Sequence, residues 1–136
     1  MPGHSLARGF VGCWLMNEGA GQKVFDTGGC NNNGTFSGNP AWTPGKFGAG
    51  LDLDGTGDYI AIANPGSVFD GKHLTIVAWV YVDALVNSWP RIIDRVYNGQ
   101  FTLYVTANFS QLTWALATAG GNVDYGTNSP VFVNTG

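Results

Sequence analysis

Apolar and polar residues alternate along short stretches of this chain, and almost nothing in it follows a helical period. Leu51 and Leu53 alternate with Asp52 and Asp54, the period of two expected of a half-buried strand. Asp54-Gly55-Thr56-Gly57-Asp58 supplies turn chemistry, and Tyr59-Ile60-Ala61-Ile62 resumes the strand pattern, so the segment predicts two strands joined as a hairpin. Leu74 to Val82 is a β-branched and aromatic run that predicts one long strand. Phe10 to Met16 alternates and ends in a turn cluster, Asn17 to Gly21. Shorter strands are predicted at Val24–Asp26, Thr35–Phe36, Ala41–Thr43, Arg91–Asp94, Phe101–Val105, Leu112–Leu116 and Val123–Tyr125. The intervening turns fall at Ser37–Pro40, Pro44–Gly45 and Gly120–Asn122. Short strands with a turn every 8–12 residues or so point to an antiparallel sandwich or barrel. No linker, repeat or low-complexity tract interrupts the pattern, which predicts one domain over residues 1–136.

Composition agrees with an all-β reading. The chain has 136 residues, of which 21 are glycine, and only 11% are charged. A chain of this length buries roughly 65–70% of its unfolded surface as one domain. The net charge of −3, with six Lys and Arg scattered, offers no basic stripe for nucleic acid. No apolar run approaches the ~18–20 residues of a membrane helix. Met1 to Arg8 shows no charged region followed by an apolar core, so no signal peptide is visible. Cys13 and Cys30 leave two alternatives open, a pair of free thiols or a disulfide tying the first strand to the following loop. A bridge would stabilise by roughly 3 kcal/mol and would indicate an oxidising compartment.

Three blocks stand out together. They are Val11-Gly-Cys-Trp-Leu-Met-Asn-Glu-Gly19, then Lys46-Phe-Gly-Ala-Gly-Leu-Asp-Leu-Asp-Gly-Thr-Gly-Asp-Tyr59, then Ala78-Trp-Val80. In that order and spacing they resemble the laminin-G-like branch of the concanavalin A-like jelly-roll superfamily of lectins and glucanases, over about residues 8–136. The resemblance implies an antiparallel β-sandwich of jelly-roll type. In that family further strands follow at about the place where Ser129 to Gly136 stands here. A short sandwich would carry open edges, so self-association or a partner chain supplying the missing strands is expected.

Catalysis finds little support in the residues. A glycosidase needs two carboxylates roughly 5–10 Å apart, yet Glu18 is the only glutamate and sits in a glycine-rich turn. Asp52 and Asp54 share a strand face but read as a solvated surface. His4 and His73 have no nucleophile in a recognisable motif, and no zinc spacing or phosphate loop appears. The chain is therefore expected not to be an enzyme.

Two sets of binding residues are nominated. The segment Asp94 to Gln100 resembles, by position, a rim loop of laminin-G-like and pentraxin-like domains that supplies oxygen ligands to calcium. The resemblance therefore implies Asp94, Asn98 and Gln100 as calcium ligands, against a plain hairpin loop. Aromatic rings in loops can stack on sugars while amides bond hydroxyls. Trp42, Trp89, Tyr97, Phe109 and Tyr125 are the aromatic candidates, and Trp89, Tyr97, Asn98 and Tyr125 form the expected ligand-binding set. Trp14, Trp79 and Trp114 lie within strand patterns and are expected to pack in the core. Two functions follow as expectations: a non-catalytic module binding a glycan or cell-surface ligand through rim loops, or a structural subunit of a virion, capsid or extracellular fibre. Either would place the protein outside the cell or at a surface, without nucleic acid and without membrane insertion.

Overall fold

The computed structural model describes residues 9–63, 74–82, 89–95, 100–106, 112–118 and 121–126, with 117–118 and 121–126 described by backbone alone. Among these residues there are nine strands, every pairing is antiparallel, and no helix forms. The all-β class read from the alternation is borne out. The chain divides into two compact units, Met1–Thr75 and Ile76–Gly136.

In the first unit, β1 (Lys23–Val24), β2 (Gly34–Ser37) and β5 (Tyr59–Ile62) form a sheet in the order β1-β2-β5. Val24 is completely buried, a placement that stabilises by about 1.5–3 kcal/mol. It closes over Gly34: a Cβ there would stand 2.4 Å from Ile60 Cγ2 and 2.7 Å from Val24 Cγ2. Glycine is what lets these two β-branched side chains meet across β2. Phe10 to Met16 forms no named strand; Trp14 makes a single antiparallel bridge to Asp26.

β3 (Ala41–Gly45) and β4 (Gly48–Asp52) form a separate two-stranded hairpin. Its turn is Lys46-Phe47, two residues later than the Pro44-Gly45 turn expected from the sequence, because Gly45 still pairs with Gly48. Gly48 has φ of 113°, a conformation that side chains rarely adopt, so the turn settles where glycine can supply it.

The hairpin expected around Asp54–Asp58 is overturned. The turn chemistry is real: Thr56 N donates to Asp54 Oδ1 at 2.7 Å, and Gly55 and Gly57 have positive φ. However, β4 pairs with β3, whereas β5 pairs with β2 in the register Gly34↔Ile62 to Ser37↔Tyr59. Asp58 contributes to the redirection. Its Oδ1 accepts Asn39 N at 2.7 Å, which fastens the loop to the end of β2 instead of folding β5 back on β4. Leu53, expected to face inward, is outside the strand and 45% exposed.

In the second unit, β6 (Arg91–Arg95), β7 (Phe101–Val105), β8 (Leu112–Thr118) and β9 (Gly121–Gly126) form a sheet in that order. β7 is buried on both faces, with Phe101 and Val105 on one and Thr102 and Tyr104 on the other. Phe101 stacks on Trp114 at 5.4 Å and 9°. Gly121 and Asn122, expected in a turn, already pair with Thr118 and Ala117.

Residues 74–82 lie outside every strand, contrary to the prediction. Trp79 is 78% exposed and does not join a core, whereas Trp114 packs as expected. A β-branched and aromatic composition describes fitness for a pleated, half-buried surface, and pairing has to supply that surface.

Candidate functional site

The site begins with an irregularity in β6. Arg91 pairs with Tyr104, but Ile93 pairs with Leu103, so Ile92 is an extra residue on the β6 side. In a regular strand, residues three apart point to opposite faces. The bulge shifts that alternation by one. Arg91 and Asp94 consequently share a face, and the Arg91 guanidinium donates to Asp94 Oδ2 at 2.5 Å. Their side chains are 44% and 29% exposed, so the pair stands at the surface.

The other carboxylate oxygen, Oδ1, accepts the hydroxyl of Thr102, the cross-strand neighbour of Asp94 on β7. Thr102 is fully buried, so Asp94 is anchored from below and presented from above. Two residues along β7, Tyr104 is also buried, and the Trp89 ring meets it edge-on at 5.5 Å and 77°. The carbonyl of Pro90 accepts Val105 N at 3.0 Å, which fixes the backbone immediately after Trp89. Trp89 itself remains 56% exposed. Trp89, Arg91, Asp94, Thr102 and Tyr104 thus form one connected group on one face at the β6 edge of the sheet.

Register extends the row. Asp94 pairs with Thr102, Thr102 with Ala115, and Ala115 with Asp124, so one line crosses all four strands. The chemistry on offer is an exposed aromatic face, a guanidinium and a carboxylate, with no second carboxylate in contact among the described residues.

Of the nominated residues, the structure brings Trp89 and Asp94 into this group. Tyr97 and Asn98 lie outside the described residues, as do Phe109, His4 and His73. Gln100 is exposed just before β7. Tyr125 occupies β9 opposite Trp114, on the register line of Leu103 rather than that of Asp94 and Thr102. The donor set proposed for calcium meets a difficulty at Asp94, both of whose oxygens are engaged, one by a cation. A calcium ion there would have to share Asp94 with the Arg91 guanidinium, against its positive charge. Among the described residues, no group of three or more His, Cys, Asp or Glu gathers as a metal site. Arg91, Thr102 and Tyr104 were missed from sequence. Nothing local marks them, since their convergence depends on the bulge and on cross-strand pairing.

The first unit holds a second polar cluster whose role is structural. Asp26 Oδ1 accepts the backbone N–H of Cys13 at 2.9 Å and of Gly28 at 2.7 Å, and Oδ2 accepts that of Asn32 at 3.0 Å. Partial burial alone would raise the Asp26 pKa, but the N–H groups of Asn32, Cys13, Gly28 and Cys30 together hold it below the ordinary value. Donors surround this carboxylate, so it orders a loop and leaves no place for a cation. Glu18 is committed through one oxygen, its Oε1 accepting Phe25 N at 2.8 Å, while its buried Oε2 has no hydrogen-bond partner among the described residues. Trp14 Nε1 donates to Asn32 O at 2.7 Å and Trp42 Nε1 to Gly21 O at 2.8 Å, so both rings brace loops. Trp42, one of the aromatic candidates, also packs against Phe36. Cys13 and Cys30 are free thiols.

A family model described as the concanavalin A-like lectin/glucanases superfamily matches residues 54–135. The crystal structure of an S-layer domain-containing protein from Clostridium thermocellum is similar, with a TM-score of 0.69 at 20% identity. The likeness covers 90% of this chain and 59% of that chain, so the present chain spans less than two thirds of it. No curated protein matches.

Proposed function

The chain belongs to the concanavalin A-like lectin/glucanase superfamily, and on that premise we propose that it is a non-catalytic recognition module that binds carbohydrate at the Trp89 edge of the second unit. One observation carries the reading. Trp89 is more than half exposed, yet its orientation is set by a buried tyrosine, and a charged hydrogen-bonding pair stands on the same face. A rigid, exposed ring loses little entropy on stacking against a ligand.

Absence of catalysis is part of the proposal and is supported by the carboxylates. Glu18 belongs to the first unit and serves the backbone of Phe25. Asp94 and Asp124 end a four-strand row, a backbone separation of about 14 Å at ordinary strand spacing. Glycosidase pairs stand at roughly 5–10 Å. Calcium is not needed by this reading, because Arg91 already neutralises Asp94. A place at the cell surface fits a glycan-binding role and belongs to the same proposal.

The test is a panel of immobilised glycans probed with the protein and with Trp89→Ala. Binding that falls about tenfold or more, with the thermal transition still cooperative, supports the reading. Equal binding by the variant to a confirmed glycan overturns it.

A structural subunit of a surface layer is a second reading, favoured by the likeness to the S-layer domain-containing protein. It predicts a defined oligomer in light scattering across a concentration series. A monomer at every concentration sinks it.

A further inference from the structure

Resting on the carbohydrate reading, we infer that this site selects neutral pyranoses with adjacent hydroxyls and rejects acidic sugars. The argument starts from the charge balance at the rim. Arg91 is the cation an anionic sugar would seek, but its guanidinium already donates to Asp94 Oδ2. An incoming carboxylate would have to compete with Asp94 for that guanidinium while approaching the Asp94 charge itself. Asp94 cannot swing away, because Thr102, fully buried, holds its other oxygen. The net charge of the chain, −3, adds a further unfavourable field for anions.

A neutral diol meets the opposite situation. Every sugar hydroxyl both donates and accepts. A guanidinium carries five N–H donors and a carboxylate about four lone-pair sites, more than the Arg91–Asp94 contact itself uses. One hydroxyl can accept from Arg91 while its neighbour donates to Asp94, with the ion pair left intact. Such charge-assisted bonds are the stronger kind. Trp89, two residues before Arg91 and braced on Tyr104, offers a ring face for the apolar side of the pyranose. The bulge at Ile92 is the specificity element: without it, Arg91 and Asp94 would fall on opposite faces and the donor–acceptor pair would not exist.

The experiment titrates the full chain with two sets of oligosaccharides, neutral gluco- and manno-oligosaccharides and acidic oligogalacturonate and sialyllactose, following the tryptophan indole N–H signals by NMR. Neutral sugars should perturb one indole signal, the one lost in Trp89→Phe. Arg91→Gln and Asp94→Asn should each weaken neutral binding by about tenfold. If acidic sugars bind more tightly, and Asp94→Asn strengthens them, the site is a glycan site of the wrong predicted class and this inference falls while the function stands. If neither set binds at about 10 mM, the functional reading falls with it. Trp89→Phe keeps an aromatic ring against Tyr104, so loss of binding in that variant is separable from loss of fold.

Discussion

The backbone N–H of Cys13 donates to the side chain of Asp26 at 2.9 Å, and that carboxylate is also the acceptor for Gly28 and Asn32. A single acid therefore ties the N-terminal segment to the loop leading into β2. The Trp14–Asp26 bridge and the bond from Thr27 N to Cys13 O lie beside it, so local strand contacts and the loop share one fastening. Asp26→Ala leaves several donors without that acceptor and should cost about 2–4 kcal/mol in denaturant unfolding. Asp26→Asn should lose less, since one acceptor oxygen remains.

Asp26 also sets an acid limit. Its pKa is lowered in the folded state, so its contribution is fully present above the ordinary aspartate value of 3.8 and is lost as pH falls through the folded value. The stability difference between the wild type and Asp26→Asn should thus be constant near neutrality and shrink below about pH 4. A difference that grows on acidification would show that the hydrogen bonds do not favour the charged form.

Gly34 is a packing prediction of another kind. An added methyl would meet Ile60 Cγ2 at 2.4 Å and Val24 Cγ2 at 2.7 Å. Both belong to β-branched side chains with little freedom to rotate aside. Gly34→Ala should cost about 1–3 kcal/mol. Combined with Ile60→Ala, the loss should be smaller than the sum of the two, since the nearer of the two obstructing atoms is gone. Simple additivity would place the clash elsewhere.

The strands were legible in sequence to the extent that their signal is local. Tyr59–Ile62 and Phe101–Val105 form as the alternation predicts. Pairing was not legible. The hairpin expected at Asp54–Asp58 failed because β5 takes its partner from β2, far away in sequence, and the Asp58–Asn39 bond fastens the loop at that end. Trp89, nominated among the loop aromatics, is exposed at the surface. Arg91 and Thr102 were invisible for a definite reason. Residues three apart on a strand normally diverge, and only the bulge at Ile92 brings Arg91 to Asp94.

The cysteines provide a chemical check. Cys30 is exposed and Cys13 half-buried, and both are free. Alkylation without denaturant should label Cys30 before Cys13, and the intact mass should be unchanged by reductant. A mass gain on reduction would establish a bridge and require the loop around Asp26 to rearrange.

Asp94 tests whether the rim is an ion pair or a calcium ligand. Its salt bridge with Arg91 is exposed enough to contribute only about 0–1 kcal/mol. The bond from Thr102 matters more, because that hydroxyl is buried and losing its acceptor costs about 1–3 kcal/mol. Asp94→Ala should therefore destabilise distinctly more than Arg91→Gln. Asp94→Asn, retaining an acceptor for Thr102, should fall between them. Calcium has to win Asp94 from the guanidinium, so calcium in place of chelator should leave the wild-type melting temperature unchanged. Arg91→Gln removes the competitor and is the variant in which any latent affinity would emerge. A rise in melting temperature with calcium in the wild type, abolished by Asp94→Asn, would mean that the ion competes with Arg91 for Asp94 and that Asp94 acts as a ligand.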